Sequence, residues 1–99
     1  MSKYSVSLND KDKEFLKAQF GNTYDYIAEG ARVLDVGCST GYYGGLLKVD
    51  KQCVVYGIDI NNEDLKKASQ VLDKTFFVDL DKAELPKGLT NTKFDVIFF

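Results

Sequence analysis

The sequence has no histidine, no tryptophan, one proline, one methionine and two cysteines. Without histidine, the usual metal-ligand clusters and any nucleophile that depends on an imidazole base are excluded, and no metal is expected. Two thiols, Cys38 and Cys53, make neither a disulfide framework nor a zinc site. No apolar run approaches the ~20 residues needed to span a bilayer, and the polar opening Met1 to Ser5 leads into no apolar signal segment. No membrane partner is expected, and the chain reads as cytoplasmic with free thiols. An excess of positive charge is also missing. Thirteen Lys and Arg are scattered among 15 Asp and Glu, for a net charge of -2, which disfavours nucleic acid as a partner.

With 44% apolar and 28% charged residues in 99, the chain has the make-up of one globular domain with a modest core. Folding at this size hides only roughly 60 to 65% of the unfolded surface, so stability is expected to be marginal without a partner or ligand. Asn9 and Asp10 are placed to cap a helix with Asp12 and Glu14 in its first turn and Leu16, Phe20, Tyr24 and Ile27 at helical spacing. Gly21-Asn22 interrupts it, and residues 1–29 read as a helical lid or brace. From Arg32 onward, short apolar runs alternate with helical patterns. Val33 to Val36, Val54 to Ile58, Phe76 to Val78 and Phe94 to Phe99 are expected strands. They show little polar alternation, as strands covered on both faces do. Tyr42 to Lys48 and Glu63 to Leu72 are expected helices, the second with a Glu63 to Lys67 pair on its wet face. The connection from Asp79 to Lys93 holds Pro86 and Gly88 and has room for only a short helix. Residues 30–99 therefore predict an α/β, Rossmann-like, doubly wound and mainly parallel sheet.

The chemistry gathers where strands end. Val33-Leu34-Asp35-Val36-Gly37-Cys38-Ser39-Thr40-Gly41 turns an apolar strand into a glycine-framed loop that opens a helix, the geometry of a nucleotide-type site. Twenty-two residues after Gly37, the second strand ends in Gly57-Ile58-Asp59, placing a carboxylate where ribose hydroxyls are gripped. After the third strand, Val78-Asp79-Leu80 offers an acceptor and apolar flanks suited to an adenine ring. The loop lacks the second glycine of Gly-x-Gly-x-x-Gly and has no Lys-Ser/Thr pair, so an NAD-type site is disfavoured and a phosphate-cradling loop is absent. Asp35 sits where a pyrophosphate would be repelled and a sulfonium or ammonium group attracted. Each residue also has a plainer reading. Asp35 and Asp79 can serve as caps, Asn61 and Asn62 can cap the next helix without Asp59, and the two cysteines can be small packing residues. One of Tyr42 and Tyr43 is expected in the core and the other at the mouth of the site.

At these residues the sequence resembles class I methyltransferases, whose first motif reads like Val-Leu-Asp-Val-Gly-Cys-Gly-Thr-Gly and is matched from Val33 to Gly41 with Ser39 at the middle glycine. Val55 to Asp59, Val78 to Leu80 and Phe94 to Ile97 continue the likeness, which covers about residues 30–99. The resemblance implies S-adenosyl-L-methionine as cofactor, with a backbone grip by Gly37, Cys38, Ser39, Thr40 and Gly41. It places Asp35 near the amino end, Asp59 on the ribose and Asp79 by the adenine, with Ile60 and Leu80 also among the cofactor-binding residues. The family's strand order, 3-2-1-4-5-7-6, implies 3-2-1-4 here, with the remaining strands beyond this sequence. No catalytic base is assignable, and the acceptor is expected to be a small molecule. A cofactor-binding module without catalysis and a dinucleotide-binding domain remain the alternatives. Phe94 to Phe99, an apolar edge with Asp95 as its only charge, is expected to pair with a second copy of the chain.

Overall fold

The computed structural model describes residues 23–82 and 84–99, together with Lys11, Glu14, Ala18 and Gly21. The caps and apolar face expected before residue 23 fall outside the described residues. The elements are α1 (Thr23–Tyr26), β1 (Arg32–Val36), α2 (Tyr42–Lys51), β2 (Val54–Asp59), α3 (Asn62–Ala68), β3 (Lys74–Phe77), α4 (Lys87–Thr90) and β4 (Val96–Phe98). All strand pairs are parallel, in the order β3-β2-β1-β4. This is the doubly wound arrangement that the strand and helix alternation requires.

Register sorts the side chains between two faces. Val33 stands beside Val55 and Val96, and this face packs with Leu47, Ala68 and Leu72 into the larger core cluster. Tyr24 and Ile27 belong to the same cluster. Leu34 and Ile58 point the other way, into a smaller cluster with Val78 and Leu89. A sheet with apolar contacts on both faces has no use for alternating polarity, which is why β1 and β2 read as continuous apolar runs.

Several boundaries differ from the sequence reading. α3 stops at Ala68, where Ser69 bonds its hydroxyl to the Lys66 carbonyl, and Leu72 is buried by the turn that follows the helix. Glu63 pairs with Lys66 at 3.4 Å instead of Lys67, on a fully wet surface where such a pair contributes little. β3 begins at Lys74 and ends before Val78, and β4 is confined to Val96–Phe98. The expected charge on the β4 edge turns out to be structural. Asp95 accepts the Arg32 N–H at 2.8 Å and donates its own N–H to the Arg32 carbonyl at 2.8 Å, so it opens the pairing with β1.

Two lysines at the end of α2 hold the layers together. Lys51 donates to the Tyr24 carbonyl and, at 2.9 Å, to that of Ile27, and its ammonium lies 4.1 Å from the centre of the Tyr24 ring. Lys48 is 8% exposed and pairs with Asp73, whose carboxylate also accepts the Val55 N–H at 2.7 Å. α2, β2 and the lead into β3 thus meet at one carboxylate. Asp73→Ala leaves a buried ammonium and a strand N–H without their shared acceptor, and is expected to cost about 2 kcal/mol. Urea denaturation checks this. A midpoint equal to that of the unsubstituted chain would mean that the tie is replaceable by water.

Candidate functional site at the carboxyl ends of the strands

The loop after β1 is shaped by where its amide groups must go. Gly37, Ser39 and Gly41 have φ of 78°, 53° and 84°, and these left-handed turns aim successive N–H groups at the neighbouring strand. Gly37 and Cys38 both donate to the Ile58 carbonyl, at 2.8 and 3.0 Å, and Ser39 donates to Asp59 Oδ2 at 2.8 Å. Ser39 holds a conformation that costs a non-glycine residue about 1 kcal/mol. Its hydroxyl offsets part of that cost by donating to Asp64 at 3.3 Å. The loop and the β2 tip, separate motifs in sequence, are therefore one hydrogen-bonded unit. Three loop donors expected to face a ligand are instead turned inward, because amides this close to the sheet edge require partners.

Packing beneath the loop explains a second glycine. A Cβ on Gly57 would fall 2.6 Å from Leu72 and 2.7 Å from Cys38 Sγ, so the bare backbone makes room for the loop to sit down. Cys38 is buried in that space. Desolvation first, then the Asp35 and Asp59 carboxylates, push its thiol up to about 12, so it stays protonated and fills volume. Cys53, also buried and unpaired, has its pKa raised chiefly by burial. Both cysteines follow the packing reading.

Two clefts flank the loop. The larger, about 310 Å³, is floored by Val36, Ile58 and Val78 and edged by Gly37, Asp59, Ile60, Asp79, Leu80, Asp81 and Phe99. The smaller, about 160 Å³, is lined by Asp35, Val36, Gly37, Cys38, Ser39, Tyr43, Phe98 and Phe99. Val36, Gly37 and Phe99 border both. Eight of the ten residues singled out from sequence thus surround this pair of clefts. Thr40 instead lines a separate groove with Tyr42, Leu46 and Val71, and Gly41 is buried against Ala68. Sequence reasoning offered Val78 as an apolar flank but missed Val36 and Ile58 in the floor, Asp81, Phe98 and Phe99. It left the two tyrosines unassigned: Tyr43 faces the small cleft and packs on the core, while Tyr42 is 48% exposed.

Among the described residues, no lysine or arginine lines either cleft. Asp59 Oδ1 accepts the Asn61 N–H at 3.0 Å, and Asn61, not Asp59, caps α3 by accepting from the Asp64 N–H. Asp79 accepts the Asp81 N–H at 3.0 Å, so it shapes its own turn as the plainer reading allowed. Asp35 is half-buried on the face it shares with Gly57 and Asp59. Burial, and secondly the Asp59 charge, raise its carboxyl from 3.8 to about 6. The arrangement is rich in acceptors and poor in donors. It suits a ligand bearing hydroxyls, an amine and positive charge, and it is unsuited to a pyrophosphate.

A parallel α/β sheet with an acceptor-lined crevice beyond its strand ends defines a ligand-binding domain of the doubly wound class. Residues 27–99 match the family described as Methyltransferase domain, and the chain belongs to that family. The TehB-like methyltransferase of Corynebacterium glutamicum is 25% identical with a TM-score of 0.62, over 88% of this chain and 50% of that one. A methyltransferase of Archaeoglobus fulgidus is 28% identical with a TM-score of 0.53, over 68% of this chain and 29% of that one. CalS10 of Micromonospora echinaspora, solved with S-adenosylmethionine, shares the fold at 23% identity and a TM-score of 0.55, over 96% of this chain and 38% of that one. The chain spans half or less of the length of these solved proteins. No curated protein matches it. Among the described residues, no helix is long and apolar enough to cross a membrane.

The Asp35 carboxyl binds its proton more tightly in the folded chain than in the unfolded one, so its charge opposes folding. That penalty is absent below pH 3.8, grows as pH rises to about 6 and is complete above it. Asp35→Asn is therefore expected to raise the melting temperature at pH 7.5 and to leave it nearly unchanged at pH 3.5. Calorimetric melts at the two pH values check this. An equal shift at both, or a loss at pH 7.5, would contradict it.

Proposed function

We propose that this chain binds S-adenosyl-L-methionine in the paired clefts and serves methyl transfer to a small-molecule acceptor. The observation that carries the reading is the union of the two motif ends, in which the Asp59 carboxylate holds the Gly37 to Gly41 loop through Ser39 while facing the larger cleft. Each Asp59 oxygen accepts one backbone N–H and keeps a lone pair, so a ribose diol can add its two hydroxyls without displacing the loop. Asp79 is placed to accept from an adenine amine, with Ile60 and Leu80 as apolar neighbours. Asp35 and the Tyr43, Phe98 and Phe99 rings of the smaller cleft suit the cationic methionine end. The bound cofactor would supply an electrophilic methyl on sulfur. The chain's own contribution is position and a field of negative charge, and the lining residues offer no amine or imidazole to which a catalytic base is assigned. A small-molecule acceptor is in keeping with fold neighbours such as CalS10, an amino pentose methyltransferase.

Further features are part of the same proposal. Of the N-terminal segment read as a lid or brace, residues 23–29 brace the cofactor half through the buried Tyr24 and Ile27. The protein works in the cytoplasm with both buried thiols reduced. β4, paired only with β1 among the described strands, offers its outer edge to a second copy.

S-adenosylhomocysteine is expected to bind this chain, and Asp59→Ala to weaken it by about 2 kcal/mol, roughly 30-fold. Asp59→Asn retains one acceptor oxygen and is expected to fall between. Titration calorimetry with a parallel melt separates the roles. Unchanged affinity beside a large loss of stability would assign Asp59 to the loop tie alone.

A further inference from the structure

The carboxylates of the site are not equivalent. Asp59 and Asp79 each accept a backbone N–H, whereas no hydrogen bond or ion pair is found for the Asp35 carboxylate among the described residues. Among the described residues, its neighbours supply no compensating charge. From β2 the facing charge is the like-charged Asp59, two residues beyond Gly57, the register partner of Asp35. From β4 its register partner is Phe98. α2 contributes Tyr43, and the loop contributes the protonated Cys38 thiol and Ser39, beyond which lies Asp64 of α3. A half-buried carboxylate facing anions and aromatic rings has two ways to be neutralised: a proton, or a cation delivered by a ligand.

We propose that a proton and the ammonium end of the cofactor compete for Asp35, so that cofactor binding to this chain expels a proton in mildly acidic solution and weakens as the pH falls. The proposal rests on the cofactor reading above and adds a regulatory property to it. The sign follows from the unliganded carboxyl, raised to about 6 by burial and by Asp59. Above that pH the site is already ionised and affinity is flat. Below it, each ligand that enters must first displace the proton, and affinity falls toward tenfold per pH unit. The adenosyl half touches other residues. A ligand lacking the amino acid portion therefore escapes the competition.

The test measures binding of S-adenosylhomocysteine and of adenosine by titration calorimetry at pH 7.5, 6.0 and 5.0, with circular dichroism confirming the fold at each pH. S-adenosylhomocysteine is expected to bind about tenfold more weakly at pH 5.0 than at pH 7.5, with adenosine unchanged. Runs at pH 5.5 in two buffers of different ionisation enthalpy are expected to show most of a proton released with S-adenosylhomocysteine and none with adenosine. Asp35→Asn is expected to bind S-adenosylhomocysteine weakly and with no slope. A flat profile for the unsubstituted chain, an equal slope for adenosine, or a slope that survives in Asp35→Asn would overturn the proposal while leaving the cofactor reading intact. Failure of both ligands to bind at pH 7.5 would overturn the cofactor reading and the proposal with it.

Discussion

Three consecutive amides, those of Gly37, Cys38 and Ser39, reach across to the tip of β2, and the site depends on that reach. A loop lying over the end of a parallel sheet has little water beneath it, and each buried N–H without a partner costs as much as a lost hydrogen bond. The Ile58 carbonyl and the Asp59 carboxylate absorb all three. Because the partners sit on β2, the loop is positioned by its neighbour and not by its own strand. The crevice is consequently fixed before any ligand arrives, as preorganised sites require.

The same constraint accounts for the residue types. Gly57 has no side chain because Cys38 and Leu72 fill its space, and Gly44 is bare because a Cβ there would meet Leu72 at 2.7 Å. Leu72, buried in the turn after α3, is the common filler beneath loop, helix and strand. With the donors turned inward, what faces the clefts is mainly carboxylate and apolar surface. A site of this kind repels anions by its composition, without any gate.

Much of this was legible in the sequence. The strand and helix alternation and the parallel sheet follow from apolar runs of the right length, and the strand order is what the resemblance carried by the motif at Val33 to Gly41 implies. The three strand-tip carboxylates, Asp35, Asp59 and Asp79, were found because strand ends are where ligands of such sheets bind. What escaped was direction. Spacing says that Thr40 and Gly41 belong to the loop, but only backbone geometry shows Thr40 facing another groove and Gly41 buried on Ala68. Ser39 and Asp59 lie 20 positions apart, and their bond is a product of register. Leu72 read as helical because its spacing is helical, although the chain had already turned. Phe98 and Phe99 read as strand edge, and their part in the clefts depends on where β4 ends relative to β1.

The two buried thiols lie at opposite ends of this sheet, Cys38 under the loop beyond β1 and Cys53 just ahead of β2. Neither is reachable while its cover is in place. Each alkylation event therefore counts a local opening, and the labelling rate of each thiol in native buffer reads the free energy of exposing that end. With no other cysteine in the chain, two clocks run independently in one molecule. The difference between them measures how far the ligand-facing end breathes apart from the end it is anchored to.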